Sequence, residues 1–333
     1  GILIKSAEAL ELTNMTRHVL FDKTGTLTEG KIVLVDLVPL DGRTEAQVLR
    51  IAFNLERPSE HPFSEALRKK IQETDIPSTA VDNFEAVAGK GIKGTMDGIS
   101  YRMGNRALYE DEGRTLDEKV AHLYEEKENA AASPVILWDD SGIIALLAFS
   151  DTVREESAGV VGDLKNMGIV PVMITGDSLS GARSISGRVG IDTYFSRVLP
   201  DRKASIVEDF KKKGVTIMVG DGINDAPSLA VADIGVAMGK GTDIAIESAD
   251  VVLMKGHLSR LITLIRLSKK TIRVIRQNLF WAFIYNTLGI PVAFGALYPF
   301  FGIRLEPIFG AAAMVVSSIS VVSNSLRLRL FKD

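Results

Sequence analysis

An aspartate followed by glycine and hydroxyl residues lies near the start of this 333-residue sequence. Residues 22–28 read Asp-Lys-Thr-Gly-Thr-Leu-Thr, and they follow an apolar run at 19–21. A carboxylate at the end of a strand can attack a phosphoryl group, and the backbone N–H groups of such a turn can face the phosphate oxygens. We therefore predict that Asp22 is a nucleophile that carries an acyl phosphate, with Lys23 and Thr24 in the same catalytic turn.

Two further polar segments supply groups that suit phosphoryl transfer. Thr175, Gly176 and Asp177 follow the apolar run 170–174. They offer a hydroxyl and N–H donors to phosphoryl oxygens, and this chemistry depends mainly on such positioning. Lys203 is predicted to neutralise charge on the phosphate, although most lysines are simply solvated.

The third polar turn, at residues 220–227, reads Gly-Asp-Gly-Ile-Asn-Asp-Ala-Pro and follows another apolar run. Mg²⁺ prefers hard oxygen ligands and needs only one or two carboxylates besides phosphate and water. Asp221 together with Asp22 would provide them, and Asn224 and Asp225 would orient the site. A plain solvated turn is the alternative for this segment taken alone.

Each of these turns follows a short apolar run typical of a buried parallel strand, and a helical pattern follows the turn. In an open parallel sheet, ligands gather beyond the carboxyl ends of the strands, so the three turns are expected to meet at one site. Residues 31–149 separate the first two strands and are too many for a single crossover. We predict an α/β fold in which residues 1–30 and 150–256 form a parallel-sheet domain and residues 31–149 form an inserted α+β domain.

The C-terminal part of the chain has a different composition. Residues 255–277 carry seven Lys or Arg residues and no Asp or Glu, and an apolar stretch follows them. About 20 apolar residues span a bilayer, and basic flanks favour the cytoplasmic side. We predict a juxtamembrane segment and a two-helix transmembrane hairpin within residues 257–333, with spans at about 279–300 and 305–326. Two buried helices of a soluble domain are the alternative.

The composition excludes some classes of function. The formal net charge of −3 gives no bulk positive field, so we expect no nucleic acid partner. The sequence has no cysteine, which excludes a disulfide framework and a thiolate metal site within these residues.

The three turns, in this order, resemble the phosphorylation and hinge signatures of heavy-metal-transporting P-type ATPases of the copper(I) and silver group. The resemblance covers the whole chain and matches it to the C-terminal half of such a pump. It implies a haloacid-dehalogenase-like phosphorylation domain, with ATP as the substrate and Mg²⁺ as a cofactor. It also implies that Asp22, the carbonyl of Thr24 and Asp221 hold Mg²⁺, and that Thr175 and Lys203 contact the phosphate.

The resemblance assigns the inserted region as the ATP-binding domain. Residues 59–62 read Ser-Glu-His-Pro, a set typical of metal pumps. His61 is expected to pack beside the adenine, and the glycines are expected to let the backbone approach it. The ATP-binding residues implied in this way are Glu56, His61, Gly89, Gly91, Gly104 and Asn105.

Polar residues within the predicted spans are candidates for binding the transported ion, because such residues are costly in a membrane. Met314 lies one helical turn from Ser318, and a thioether favours Cu(I) over Mg²⁺, Ca²⁺ or Zn²⁺. However, methionines that fill space in a core and serines that pack helices together are also common between membrane helices. Tyr285 and Asn286 in one span, with Met314 and Ser318 in the next, resemble the monovalent copper and silver group and so imply Cu(I). A zinc pump would be expected to carry a carboxylate in its last span, and residues 307–326 contain none.

These inferences predict an ATP-driven exporter of Cu(I) that works through an aspartyl phosphate. It would be integral to the cell membrane, with its catalytic domains in the cytoplasm. A pump for Ag(I) or Zn²⁺ is the alternative. A haloacid-dehalogenase-type phosphatase is a further one, but such enzymes normally have a second aspartate two residues after the nucleophile, where this chain has Thr24. A non-catalytic ATP-binding regulator is disfavoured by the intact Asp22.

The resemblance also implies partners. These are membrane lipid, a copper chaperone and an N-terminal half that contains the actuator domain and the earlier membrane helices. Because the sequence lacks that half, we expect that the chain does not transport alone.

Overall fold

The computed structural model describes residues 1–59, 61–71, 79–221, 225–239, 247–294, 302 and 307–331, and at 200, 285, 286, 293 and 307–313 it describes the backbone alone. The described strands form two sheets, one of seven strands and one of six.

The first sheet contains the three strands that precede the polar turns. In spatial order its strands are β1 Ile2–Ile4, β13 Val251–Leu253, β12 Ile234–Met238, β11 Thr216–Gly220, β2 His18–Asp22, β9 Val170–Ile174 and β10 Thr193–Phe195. Neighbours pair in parallel, except that β1 is antiparallel to β13. Asp22 lies opposite Ile174, and Phe21 lies opposite Val219. The carboxyl ends of β2, β9 and β11 therefore lie at the same edge.

The central strands of this sheet are buried on both faces. Val19 and Phe21 belong to one hydrophobic cluster and Leu20 to another, because successive residues of a strand point to opposite faces. The first cluster includes residues of α6 Ser157–Asn166 and α7 Leu179–Val189. The second includes residues of α8 Pro200–Lys211 and α9 Ala226–Val231. This three-layer arrangement is why the strands read as continuous apolar runs.

The second sheet is antiparallel and lies within the region predicted as an insertion. Its strands, in spatial order, are β3 Thr28–Pro39, β8 Ile143–Val153, β7 Ser133–Trp138, β6 Ile99–Gly104, β5 Gly91–Met96 and β4 Asp82–Val87. Residues of α2 Glu45–Glu56 and α3 Pro62–Ile71 share one hydrophobic cluster with it. Residues of α4 Arg106–Asp111 and α5 Glu118–Asn129 share another. The long strands β3 and β8 pair with each other and connect this sheet to the first one.

The remaining helices are α1 Ala7–Thr13, α10 Arg260–Ala293 and α11 Pro307–Leu326. The first turns of α10 belong to the core of the first sheet, since Leu261, Leu264 and Ile265 are buried there. Farther along, Asn278 donates to Ser325 at 2.9 Å and accepts from Asn324 at 2.8 Å, so α10 and α11 contact each other.

The predicted transmembrane hairpin is not confirmed. Across the part of the chain that the structure describes, we find no helix that is both long and apolar enough to cross a membrane. α10, Arg260–Ala293, includes residues 279–293 of the first predicted span, and α11, Pro307–Leu326, lies within the second. Part of each predicted span, 295–300 and 305–306, lies outside the described residues.

Candidate active site

Three aspartates meet where the strand ends of the first sheet lie side by side. One carboxylate oxygen from each of Asp22, Asp221 and Asp225 lies within 4.8 Å of the other two. Asp22 is only 6% exposed and Asp225 is buried as well, whereas Asp221 is half-buried. Such a set of hard oxygen donors fits Mg²⁺.

Lys203 lies at the centre of this cluster. Its Nζ donates to Asp22 Oδ1 at 2.6 Å and to Asp225 Oδ1 at 2.8 Å, and the residue is 7% exposed. Burial opposes the charged ammonium, but the Asp22 and Asp225 carboxylates outweigh it and raise the pKa of Lys203. The lysine is therefore charged and neutralises part of the acidic cluster.

Two carboxyl groups of the cluster, those of Asp22 and Asp221, have raised pKa values. Burial first, and then the charge of Asp225, raise the pKa of Asp22 to about 7, although Lys203 opposes the change. Burial and Asp225 likewise raise the pKa of Asp221 to about 6, and Arg154 opposes this shift. Neutralisation by a bound cation would favour the ionised form of both groups.

The turn after Asp22 folds tightly against Asp221. Gly25 has φ +73°, a conformation that favours glycine, and a Cβ built on it would lie 1.6 Å from Asp221 Oδ2. A side chain at this position would therefore displace the Asp221 carboxylate from the cluster. Thr24, next to Gly25, is exposed.

An ion pair joins the second polar turn to the first. Lys23 Nζ lies 2.8 Å from Asp177 Oδ2. Thr175 is buried, and its Oγ1 accepts from the Asp177 N–H at 3.1 Å. Because Ile174 lies opposite Asp22, Thr175 and Gly176 follow directly at the same edge of the sheet. Asn224 lies outside the described residues.

Sequence reasoning missed Arg154, which binds the carbonyls of the catalytic turn. Its Nη2 donates to Gly25 O at 2.6 Å and its Nε to Thr26 O at 2.9 Å. Nearby, Thr28 Oγ1 donates to Asp151 Oδ2 at 2.5 Å. Arg154 directly follows the long, largely buried strand β8, but this position does not indicate which groups its guanidinium binds.

All six residues predicted to bind ATP line one cavity of 810 Å³. The cavity is also lined by Asp177, Ser178 and Gly181, so it reaches the second catalytic turn. It therefore connects the residues of the second sheet and its helices with the edge of the first sheet that carries Asp22.

Glu56 and His61 provide the specific polar groups of this cavity. Glu56 is 3% exposed, and among the described residues its Oε2 has no hydrogen-bond partner. Burial raises the pKa of Glu56 to about 7, while a hydrogen bond from Ser59 opposes the change. His61 Nδ1 accepts from the Phe63 N–H at 3.3 Å, and burial lowers the pKa of His61. The histidine is therefore neutral at pH 7 and can pack against an uncharged ring.

The other predicted ATP residues also have structural roles. A Cβ on Gly91 would lie 2.3 Å from Met103 O, and one on Gly104 would lie 2.5 Å from Lys90 O. Asn105 caps α4 by accepting from the Leu108 N–H at 3.1 Å, and it donates to Gly89 O at 3.0 Å.

The residues predicted to bind the transported ion are only partly described. Met314 is 73% exposed, and Ser318 is exposed on the same helix. The side chains of Tyr285 and Asn286 lie outside the described part of the chain. The ion site therefore stays a prediction.

Comparison with known proteins identifies the family. A family model of haloacid dehalogenase-like hydrolases matches residues 16–233, and a second such model matches residues 210–257. The chain belongs to the haloacid dehalogenase-like hydrolases. The predicted fold class of the two sheets is thereby confirmed, while the domain bounds stay predictions.

Proteins with similar sequences are named as metal-exporting ATPases. The chain is 46% identical over 329 residues to a probable copper-exporting P-type ATPase of Archaeoglobus fulgidus, covering 99% of this chain and 40% of the relative. It is 42% identical over 330 residues to a silver exporting P-type ATPase of Salmonella typhimurium, with 99% and 40% covered. The predicted resemblance is therefore confirmed, and the chain spans about 40% of the length of these relatives.

Solved structures of other ATPases have a fold similar to that of this chain. A crystal structure of a zinc-transporting PIB-type ATPase in the E2.Pi state has a TM-score of 0.86 and 31% identity, covering 98% of this chain and 52% of that one. A structure of the catalytic domain of the CPx-ATPase CopB-B has a TM-score of 0.65 and 27% identity, covering 80% of this chain and 95% of that one.

Proposed function

We propose that this chain is the catalytic part of an ATP-driven pump that exports Cu(I) through phosphorylation of Asp22. The observation that carries the proposal is the cluster of Asp22, Lys203, Asp221 and Asp225, which lies next to a cavity lined by the buried carboxylate of Glu56. The names of the relatives support a copper or silver ion, since these are the ions that the relatives are named for.

The chemistry proposed for the cluster is in-line phosphoryl transfer. A carboxylate oxygen of Asp22 forms a bond to the γ-phosphorus of ATP, and the bond from this phosphorus to the β–γ bridging oxygen breaks. ADP leaves with that electron pair. Lys203 neutralises charge as the phosphate approaches Asp22, and the turn at Thr175 to Asp177 positions the phosphoryl oxygens.

Asp22, Asp221 and the Thr24 carbonyl would hold Mg²⁺, which, when bound, neutralises charge on the transferring phosphate. Thr24 stands where a haloacid-dehalogenase phosphatase normally has a second aspartate. Thr24 has no carboxylate that could act as a general acid or base, and this favours a persistent aspartyl phosphate over rapid hydrolysis.

We place the pump in a cell membrane, with both sheets on the cytoplasmic side. The proposed partners are membrane lipid, a copper chaperone and a further part of the pump that contains the actuator domain. This chain spans about 40% of the length of its relatives, and this supports the proposal of a further part of the pump.

Replacing Glu56 by alanine is expected to weaken ATP binding about tenfold, because a buried hydrogen bond to a charged group is lost. We expect Glu56 to accept from the exocyclic amine of adenine. Wild type should therefore prefer ATP to ITP, which lacks that amine, and the variant should not. Calorimetric titration of both nucleotides measures this preference.

The same experiment has a predictable pH dependence. Binding of the amine favours ionised Glu56, whose pKa is about 7 in the free protein, so the preference for ATP over ITP should rise between pH 6 and pH 8. Glu45, exposed on the same helix, is the matched control, and Glu45→Ala should bind like wild type. An unchanged preference in Glu56→Ala would exclude this role.

The ion specificity is tested on the full-length pump in membranes with radiolabelled ATP. We expect the acid-stable label to depend on Cu(I) or Ag(I) but not on Zn²⁺. Met314→Ala should weaken the apparent Cu(I) affinity about tenfold or more, because a soft ligand is lost. Met254→Ala, another exposed methionine, is the control. A label that depends on Zn²⁺ alone would contradict the assignment of Cu(I).

A further inference from the structure

The segment that follows β8 connects two parts of the molecule through Arg154, which binds three backbone carbonyls. Besides its bonds to the carbonyls of Gly25 and Thr26, the guanidinium donates through Nη1 to Gly256 O at 3.2 Å. Gly256 lies just before α10. One planar, permanently charged group thus holds both the catalytic turn and the approach to the long helix.

Glu156, two residues farther on, binds the start of the same helix. Its Oε1 accepts from the Leu258 N–H at 2.6 Å and its Oε2 from the Ser259 N–H at 3.2 Å. No side-chain cap from Ser259 itself satisfies the first turn of α10. Glu156 therefore supplies acceptors for N–H groups near the positive end of the helix dipole.

The backbone of the segment is also fixed to the catalytic turn. The Arg154 N–H donates to Leu27 O at 3.0 Å, and Ser157 Oγ donates to the same oxygen at 2.8 Å. The segment thus binds both the catalytic turn and the start of α10. A shift of the turn cannot leave the start of α10 unaffected unless these hydrogen bonds break.

We propose that Arg154 is a positioning residue for phosphoryl transfer, and that the Arg154 to Ser157 segment links the turn around Asp22 to the start of α10. This rests on the proposed function only in that Asp22 accepts the phosphoryl group. In a planar trans peptide the C=O and the following N–H point in opposite directions. Arg154, by holding the Gly25 and Thr26 carbonyls, directs the N–H groups of Thr26 and Leu27 away from itself and fixes the shape of the turn.

The link is tested by hydrogen exchange of the full chain with and without Mg²⁺ and beryllium fluoride, a phosphate mimic. In wild type we expect slower exchange at residues 23–28 and a changed rate at residues 254–262. In Arg154→Lys, whose single ammonium cannot bridge three carbonyls, the effect at 23–28 should persist and that at 254–262 should be lost. Arg188→Lys, an exposed arginine on α7, should behave like wild type.

The positioning role of Arg154 is tested by comparing the rate of phosphorylation with the affinity for ATP, which a misfolded variant would also lose. In the full-length pump, Arg154→Lys should lower the rate of phosphoenzyme formation about tenfold to a hundredfold while the ATP dissociation constant stays within about twofold, since misplacement affects the reaction and not nucleotide binding. Glu156→Gln should phosphorylate normally and show a reduced response at 258–262.

Three results would overturn the proposal. The first is a wild type in which 23–28 respond but 254–262 do not. The second is an Arg154→Lys variant that retains both responses and full phosphorylation. The third is a wild type without any response at 23–28, which would overturn the role of Asp22 and the proposal with it.

Discussion

Replacing Asp22 by asparagine is expected to abolish the acid-stable phosphoenzyme while leaving the folded chain at least as stable at pH 8. Asparagine has no nucleophilic carboxylate, so the loss of label should be complete within detection, at least about a thousandfold. The label is measured on the full-length pump with radiolabelled ATP. Its release by hydroxylamine identifies an acyl phosphate.

The stability expected for this variant follows from the sign of the pKa shift. Folding raises the pKa of Asp22 from its ordinary 3.8 to about 7, so the folded state binds the proton more tightly than the unfolded state. The ionised carboxylate therefore costs stability progressively as the pH rises from about 4 to about 7, and the cost is fully present above that range. A neutral amide avoids this cost, so the variant should lose the label without losing stability. That combination indicates that Asp22 has a catalytic role rather than a structural one.

Urea unfolding at pH 8 tests this half of the prediction. Asp192→Asn is the matched control, because Asp192 is exposed and pairs with Lys165 near the surface. The control should keep both label and stability. A label that persists in Asp22→Asn would end the assignment of the nucleophile. A large loss of stability would mean that the charged carboxylate holds the fold together.

The residues at the strand ends could be predicted because each follows an apolar run directly. Asp22 and Asp221 are set by the ends of β2 and β11, and parallel strands bring such ends together regardless of the distance in sequence. Lys203 was predicted as a partner of the phosphate, and its contacts with Asp22 and Asp225 agree with a position at that site. No local pattern could show those contacts, since they join residues 181 and 22 positions apart.

Arg154 could not be predicted, because its partners are backbone carbonyls. A carbonyl is present at every residue, so the sequence does not indicate which ones a guanidinium will bind. The same limit applies to the beginning of α10. The basic residues of that segment suggested a membrane flank, whereas Leu261, Leu264 and Ile265 on the other face of the helix pack into the core of the first sheet.

Replacing Lys203 by methionine is expected to lower the free energy of unfolding by about 3–5 kcal/mol at pH 8, because Asp22 and Asp225 then lose their buried counter-charge. The phosphoenzyme should be lost as well, since Lys203 is proposed to neutralise the approaching phosphate. Lys212→Met, which removes an exposed lysine that pairs with Asp209, should change neither quantity by a measurable amount.

The loss of stability in Lys203→Met should shrink as the pH falls. Without the ammonium, the folded-state pKa of Asp22 must rise above its value of about 7. Asp22 is therefore protonated at about pH 5.5, which removes one of the two unpaired charges. Adding Asp22→Asn to Lys203→Met should restore part of the stability at pH 8 but none of the label. Urea unfolding at both pH values measures this coupling. A loss independent of pH and not relieved by Asp22→Asn would show that Lys203 stabilises the fold by packing rather than by its charge.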